Sequence, residues 1–463
     1  MFRTLPFKLA LAASTWASLV LAQAPADNSS VGADGAVNPA PTNQPPDAAI
    51  AAAAEGQPAS TPASPTGSTS SAGATSASPA SADVASSSGP KLEGKPGSGV
   101  TADFGDSFSL NLKARMQLRY QLDAAPPDTS GERALTQSVS VGTARLYIGG
   151  HAFSRDFTYL VQLALAARDY RDGATSPVYD AYVDYKWQRD VSFKLGQYFV
   201  PFDRLRTVRE FALQISERPR VVQELTLDRD VGITIYSDHF LGAKSPVAYR
   251  VGAFGGGGMN LSAGKTPGML GVARVELRPL GSIDDDQEGD LERRERPGLA
   301  FGIAGAANWG TNRQRSTTGA IYQAGVTDYY QGATDVVFKW LGFAAEAEFV
   351  VREASTDLIV SSDPTIADQP TQSGYGWVTQ ASYCFPFHLE LSGRFSELYA
   401  MDGTDPAFVT SVANTGQEVA GGISYYLNGH KMKIQADYVA RMPSGLQFDR
   451  AQQLAHLLFD ITL

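Results

Sequence analysis

From Phe108 to Leu122 apolar and polar side chains alternate without a break. Phe108, Leu110, Leu112, Ala114, Met116, Leu118, Tyr120 and Leu122 share one parity; Ser109, Asn111, Lys113, Arg115, Gln117, Arg119 and Gln121 share the other. Successive residues of a strand point to opposite faces of a sheet, so this is a strand with one apolar and one polar face. It runs about fifteen residues, whereas strands of globular domains are mostly about 5–6. At roughly 3.3 Å per residue and a tilt near 45°, Phe108 and Tyr120 stand roughly 28 Å apart along a membrane normal. That separation suits two aromatic girdles around an apolar band about 25 Å tall.

The same pattern recurs along the chain. Phe157, Tyr159, Val161, Leu163 and Leu165 share a face, as do Tyr179, Ala181, Val183, Tyr185 and Trp187 against Asp180, Tyr182, Asp184 and Lys186. Phe343, Ala345, Ala347, Phe349 and Val351 oppose Glu346, Glu348 and Arg352; Met432, Ile434, Ala436 and Tyr438 oppose Lys433, Gln435 and Asp437. Turn signals at Asp172-Gly173, Pro246, Leu341-Gly342, Pro386 and Asn428-Gly429 separate the runs. The pattern predicts an all-β fold: a closed transmembrane antiparallel β-barrel of about sixteen strands between residues 106 and 463, with both termini in the periplasm. A soluble β-sandwich also alternates, but it packs its inner faces dry. The inner parity here carries Lys113, Arg115, Arg119, Asp184, Glu346, Arg394 and Lys433, more charge than a packed core tolerates.

Composition narrows the function. Lys and Arg total 38 against 48 Asp and Glu, a net charge of −10, which argues against a nucleic-acid partner. The single cysteine, Cys384, and five histidines without ligand spacing exclude a disulfide framework and make a zinc site or other metal cofactor unexpected. At the N-terminus Arg3 and Lys8 precede the apolar stretch Leu9–Leu21, followed by small residues before Gln23. This predicts a signal peptide over residues 1–22. A Pro/Ala/Ser/Thr-rich linker over 23–100 lacks the apolar content to offset its ordering entropy; residues 101–463 are the barrel domain.

Between strands ending near Val200 and starting near Arg229 lie about 28 residues, far beyond the usual connection of roughly 4–6. Arg204, Arg206, Arg209, Arg218 and Arg220 stand there beside Asp203, Glu210, Glu217, Glu224 and Asp228. Placed between the fifth and sixth strands, this loop is expected to fold into the lumen, held by a segment Phe211–Ile215 on the inner wall. Arginine in a constriction offers a planar fork of donors to phosphate or carboxylate. The other reading of the loop is a solvated surface connection with mixed charges.

The stretch FKLGQYFVPFDRLR contains Gly196, Gln197, Pro201 and Phe202 in the spacing GQ-x-x-x-PF. It is followed by ISERPRVV with Glu217 and Arg218, and by DRDVGITIYS with Arg229 and Gly232. With VYDAYVDYKW, LELSGRFSELY and GISYYLNGHKMKIQADYVAR, residues 105–463 resemble the phosphate-selective porin O and P family. The resemblance implies a trimeric outer-membrane channel of a Gram-negative bacterium that passes small anions, phosphate or polyphosphate foremost. Its constriction candidates are Arg204, Arg206, Arg209, Arg218 and Arg220. The luminal wall candidates are Lys113, Arg115, Arg119, Arg145, Lys194, Arg394 and Lys433. The alternatives are a general porin without ion preference, a non-conducting barrel that anchors the linker, and an outer-membrane hydrolase. For the last, Ser237, Asp238 and His239 are adjacent, but alternation sends Asp238 to the opposite face from its neighbours. The glycine run after Phe254 reads as a hairpin loop, and the acidic stretch Asp284, Asp285, Asp286, Glu288 and Asp290 as a solvated surface loop.

Overall fold

The computed structural model describes residues 91–169, 176–260, 268–284 and 287–463. The expected signal peptide and the linker as far as residue 90 lie outside the described residues, as do Asp172, Gly173, Asp285 and Asp286.

Sixteen antiparallel strands form the wall. They are β1 (Ser109–Ala124), β2 (Leu135–Ala152), β3 (Ser154–Ala164), β4 (Val178–Gln188), β5 (Val191–Phe199), β6 (Arg229–Ser237), β7 (Val247–Phe254) and β8 (Met269–Leu277). The second half comprises β9 (Gly298–Thr311), β10 (Thr327–Trp340), β11 (Phe343–Ala354), β12 (Gly374–Cys384), β13 (Leu389–Ala400), β14 (Gln417–Tyr426), β15 (Met432–Met442) and β16 (Gln452–Thr462). Each pairs with the next, and β16 pairs back onto β1 from Gln453↔Ala124 to Thr462↔Arg115, closing the barrel. Closure leaves no wall strand with an unpaired edge, as a hydrocarbon environment requires.

The alternation sets which side of the wall each residue faces. Leu112, Met116 and Leu118 are exposed on the outer surface, while Arg115, Gln117 and Arg119 between them are buried inside. Near the rim where β1 begins, Phe108 contacts Phe104 and Tyr159, and Phe157 contacts Tyr185, forming part of an aromatic girdle. Most connections on that rim are short, such as 341–342 between β10 and β11, with 278–297 between β8 and β9 the exception, and those of the opposite rim are mostly longer. The short-turn rim is therefore periplasmic.

The barrel-associated structure begins before the expected boundary at residue 100. Strands Lys91–Lys95 and Gly99–Asp103 form a hairpin, and the second pairs with β1 from Val100↔Leu112 to Asp103↔Ser109. β16 reaches only as far as Arg115 along β1, so the hairpin covers the end of β1 that the last strand leaves unpaired.

The interior is not an open tube. The β5–β6 loop, residues 200–228, folds inward. Phe202, Val221, Leu225 and Leu227 from it pack with Tyr198, Phe254, Leu270, Val350 and Leu398 of the inner wall. Farther along the loop, Ile215 packs with Ala420, Val439 and Leu454 of β14–β16. The loop thus crosses the lumen from one wall to the other.

Candidate functional site

Asp203 starts the turn of helix Arg204–Thr207 by accepting a hydrogen bond from the backbone N–H of Arg206 (2.9 Å). Glu348 of β11 accepts from the N–H groups of Arg204 and Leu205 (3.1 Å each). This end of the loop is therefore tied to the β8–β11 wall. Burial pushes the Asp203 carboxyl up to about 7, although the Arg206 N–H and the guanidiniums of Arg206, Arg274 and Arg218 partly oppose it. The far end is tied to β15 through Asp437, which accepts from Ser216 N–H (2.9 Å) and from the Ser216 hydroxyl (3.0 Å).

Two cavities lie on either side of the loop. One, of about 690 Å³, opens among β4–β8 and is lined by Tyr182, Lys194, Tyr198, Tyr236, Arg250 and His430, among others. The other, of about 460 Å³, is lined by Arg119, Arg168, Arg206, Glu217, Arg218 and Arg315, among others. Between them lies a space of only 20 Å³, bordered by Arg115, Thr143, Arg145, Tyr147, Gln162, Tyr179, Phe199, Arg209, Glu210, Phe211 and Arg229. It shares Phe199, Arg209 and Phe211 with the first cavity, and Thr143, Tyr179, Glu210 and Arg229 with the second. This narrowing is the candidate site.

Four guanidiniums and one carboxylate border it. Arg115 is ion-paired with Asp460 (2.6 Å), and its guanidinium stands 4.3 Å from the centre of the Phe211 ring. Arg145 bonds Asp169 (2.7 Å) and reaches Glu210 (3.2 Å). Arg229 bonds Asp180 (2.7 Å); Arg209 donates to Gln162 (2.9 Å) and lies 3.4 Å from the same Asp180. Asp180 and Asp460 are almost fully buried, as are Arg115, Arg145 and Arg229 that border the space, and Asp180 also lines the first cavity. Glu210 is the exception, with its side chain 45% exposed. Partial desolvation inside the barrel raises its pKa, but Arg145, Arg218, Arg168 and Arg229 more than reverse the effect and hold the carboxyl below its ordinary value.

Tyr179 is where alternation fails. By parity it belongs with Ala181 and Val183 on the outer face, yet it borders the narrowing. A β-bulge explains the switch: Gln162 pairs with Asp180, but Leu163 pairs with Val178, so Tyr179 is the extra residue. The guanidiniums of Arg145 and Arg229 stand 4.3 and 3.7 Å from its ring centre, within cation–π range. Gln197 supports the bulge by donating to the carbonyls of Val178 and Tyr179 (3.1 Å each). In sequence the bulge left no mark; Arg229 was visible as a motif residue but not as a lining residue.

Of the five loop arginines expected at the constriction, only Arg209 borders it. Arg204 is buried against Asp335 (2.8 Å) and Glu276 (3.6 Å) of the wall. Arg206 is ion-paired with Asp228, and Arg218 donates to the carbonyls of Leu205 and Val208 within the loop. Both line the external cavity. Arg220 bonds Glu224 (3.4 Å), Ser411 (3.1 Å) and Thr415. A chain folded across a lumen has its own carbonyls and carboxylates to satisfy, and these arginines satisfy them.

The seven wall candidates all point inward, but not all meet the passage. Arg115 and Arg145 border the narrowing, and Arg119 bonds Glu217 beside the external cavity. Lys113 and Lys194 have no ion-paired carboxylate among the described residues. Their ammoniums lie instead over the rings of Tyr147 (4.9 Å) and Tyr182 (3.7 Å). Arg394 is sealed against Glu418 (2.8 Å), and Lys433 is buried beneath the loop with its ammonium donating to Leu213 O (2.9 Å). Those two hold the structure together and lie outside the narrowing.

Ser237, Asp238 and His239 form no relay: the His239 ring faces Ser245 O (3.2 Å), Ser237 donates to Arg189 O (2.9 Å), and Asp238 pairs with Arg250 (3.0 Å). The acidic stretch also departs from its expected place. Glu288 and Asp290 are buried inside the periplasmic mouth of the barrel.

No curated protein sequence matches the chain. Among solved structures it is similar to OmpTdeltaL8, a loop L8 deletion mutant of the outer membrane protein OmpT of Vibrio cholerae. That match has 11% identity and a TM-score of 0.49, over 77% of this chain and 100% of that one. It is similar to Salmonella typhi OmpF, in a complex with Daunomycin, at 13% identity and TM-score 0.49, over 77% and 98% of the two chains. The outer membrane channel DcaP of Acinetobacter baumannii is similar at 12% identity and TM-score 0.46, over 77% and 98%. The family model for phosphate-selective porin O and P matches residues 110–453. Matched from β1 into β16 of a closed barrel with an inward-folded third loop, the chain belongs to the phosphate-selective porin O and P family and is a porin of the Gram-negative outer membrane.

Proposed function

We propose that the protein passes small anions by diffusion, phosphate-type anions foremost, and that the selecting element is the narrowing bordered by Arg115, Arg145, Arg209 and Arg229. One observation carries this reading: four guanidiniums border the small space between the two cavities against the single carboxylate of Glu210. Rings of Arg and Lys are the physical basis of anion pores, as rings of carboxylates are of cation pores. An oxyanion entering so small a space loses water, and guanidinium donors replace that water with charge-assisted hydrogen bonds. Lys113, which has no ion-paired carboxylate among the described residues, adds positive potential on the periplasmic side, whereas Lys194 stands opposite Asp184. No covalent step is involved.

The test replaces Arg209 with Gln, because its ion pair, to Asp180, is 3.4 Å long, longer than those of Arg115 and Arg229, and its loss disturbs the wall least. The reversal potential of the purified protein in a salt gradient is expected to lie on the anion side. Phosphate should block chloride current, and Arg209→Gln should weaken both effects. An unchanged reversal potential and unchanged phosphate block in the variant would reduce the protein to a general porin. The family further makes a homotrimer the assembly expected in the membrane, to be read from the mass of the detergent-extracted, unheated protein.

A further inference from the structure

The described residues of the turn between β8 and β9, 278–284 and 287–297, do not hang into the periplasm. Lys339 of β10 donates from its ammonium to the carbonyls of Asp284 (2.6 Å) and Gln287 (2.5 Å), drawing the turn into the barrel mouth. Asp290 accepts from the N–H of Gly342 (2.7 Å) and fixes the turn to the β10–β11 connection. Glu288, between these anchors, is buried. One of its oxygens accepts both the backbone N–H of Gln214 and the side-chain amide of Gln380 (2.7 Å each). Its own N–H donates to Ala212 O at 3.4 Å. Gln214 also donates to Glu390 (2.8 Å) and Ser382 (2.6 Å) of the wall.

A second periplasmic turn reaches the same loop. The ring of His430, between β14 and β15, lies with Nδ1 3.1 Å from Phe211 O and Nε2 2.7 Å from Oε1 of Gln287. Burial and the charges of Lys433, Arg115 and Lys339 hold this imidazole down to about 3, so it stays neutral over the physiological range. A neutral ring that donates from Nδ1 to Phe211 O leaves Nε2 facing the Gln287 side chain, whose own amide nitrogen donates to Asp284 (2.5 Å). Phe211 in turn borders the narrowing and stacks under Arg115.

We propose that these two turns form an internal brace that sets the width of the narrowing from the periplasmic side. Glu288 is its central positioning residue, acting through the Gln214 N–H, and His430 and Gln287 act through the Phe211 carbonyl. The brace reaches residues 211–214, the segment that directly follows Arg209 and Glu210. A backbone N–H and a carbonyl fixed at this point leave the loop no freedom to swing toward the opposite wall. The inference rests on the reading of the narrowing as the passage, but not on which ion passes.

The experiment uses the full chain in liposomes, with swelling driven by a neutral monosaccharide and a neutral disaccharide. Neutral solutes report width and are blind to charge preference, so a failed anion assignment leaves this result intact. Glu288→Ala is expected to raise the disaccharide rate relative to the monosaccharide several-fold and to increase open-channel current noise. Glu288→Gln keeps an oxygen acceptor for the Gln214 N–H and is expected to restore both values. Lys339→Met, which releases the turn without touching the loop, is expected to reproduce Glu288→Ala. Unchanged size discrimination in Glu288→Ala, or a Glu288→Gln variant as leaky as Glu288→Ala, would overturn the proposal. If these variants fail to fold, hydrogen exchange on the unmodified protein decides. Residues 211–216 and 287–291 are expected to open together, and independent opening would refute the brace.

Discussion

Single residues in this wall have sharply different tolerances, and parity decides which. Leu112 faces lipid and Gln117 faces the interior beside Asp460, to which its amide donates (3.2 Å). Leu112→Arg places a charge in hydrocarbon and is expected to cost about 2–4 kcal/mol near the midplane. Gln117→Arg places the same charge beside a carboxylate and is expected to be tolerated. Folding into lipid vesicles, followed by denaturant titration, measures both; equal losses would refute the face assignment. Gly196 of the GQ-x-x-x-PF motif is constrained by backbone geometry. Its φ is +133°, and an added Cβ would stand 2.1 Å from the carbonyl oxygen of Ala181 on β4. Gly196→Ala therefore strains the β4–β5 pairing next to the Tyr179 bulge, and a loss of about 1–3 kcal/mol is expected in the same titration.

At the scale of the element, the inward loop behaves as a strap with charged fastenings at each end. Asp203 is surrounded by the carboxylate of Glu348 and the guanidiniums of Arg206, Arg218 and Arg274. Its carboxyl, raised to about 7, is above the ordinary aspartate value. The docked loop therefore binds a proton that the free loop releases. Docking from this group is fully supported below about pH 4, and that support is lost as pH rises through about 7. Glu217 has the opposite sign. Burial raises it, but the guanidiniums of Arg119 and Arg168 prevail and hold it down to about 2. Its contribution is present above the ordinary carboxyl range and is lost only in strong acid. Hydrogen exchange of residues 200–228, corrected for intrinsic pH dependence, should show protection at the Asp203 end falling between about pH 4 and 7 and level above that. Asp203→Asn, which keeps the cap acceptor without the charge, should flatten that change. A pH dependence that survives the substitution would assign it to another group.

For the whole molecule, closure is the dominant constraint, and the N-terminal hairpin contributes to it locally. Removing residues 25–88 from the mature protein leaves the hairpin Lys91–Asp103 in place and is expected to leave conductance unchanged. Extending the deletion through Asp103 exposes the backbone of β1 from Ser109 to Leu112. It should lower the temperature at which the barrel opens, while the channel still conducts. Conductance in planar bilayers and heat-dependent gel mobility of the two deletion proteins separate these outcomes. A lost channel in the shorter deletion would mean that the linker takes part in the pore.

Alternation by itself determined the barrel, its strand number and the inward direction of Lys113, Arg115, Arg119, Arg145, Lys194, Arg394 and Lys433, because a period of two carries face directly into sequence. Loop length and position favoured an inward fold of residues 200–228 but left a solvated surface connection open. What sequence could not carry is any contact between residues distant along the chain. Arg204, Arg206, Arg218 and Arg220 look alike in sequence to Arg209. Only the tertiary structure supplies the carboxylates and carbonyls that engage the first four and leaves Arg209 at the narrowing. Tyr179 was misplaced because one extra residue in β4 inverts parity, and a bulge is decided by pairing with β3 and by Gln197. Glu288 and Asp290 read as a solvated acidic loop because their partners, Gln214 N–H and Gly342 N–H, are backbone groups that every sequence contains. Charge and periodicity are local properties and can be read in order; which charge meets which partner is settled only when the barrel closes and the loop crosses it.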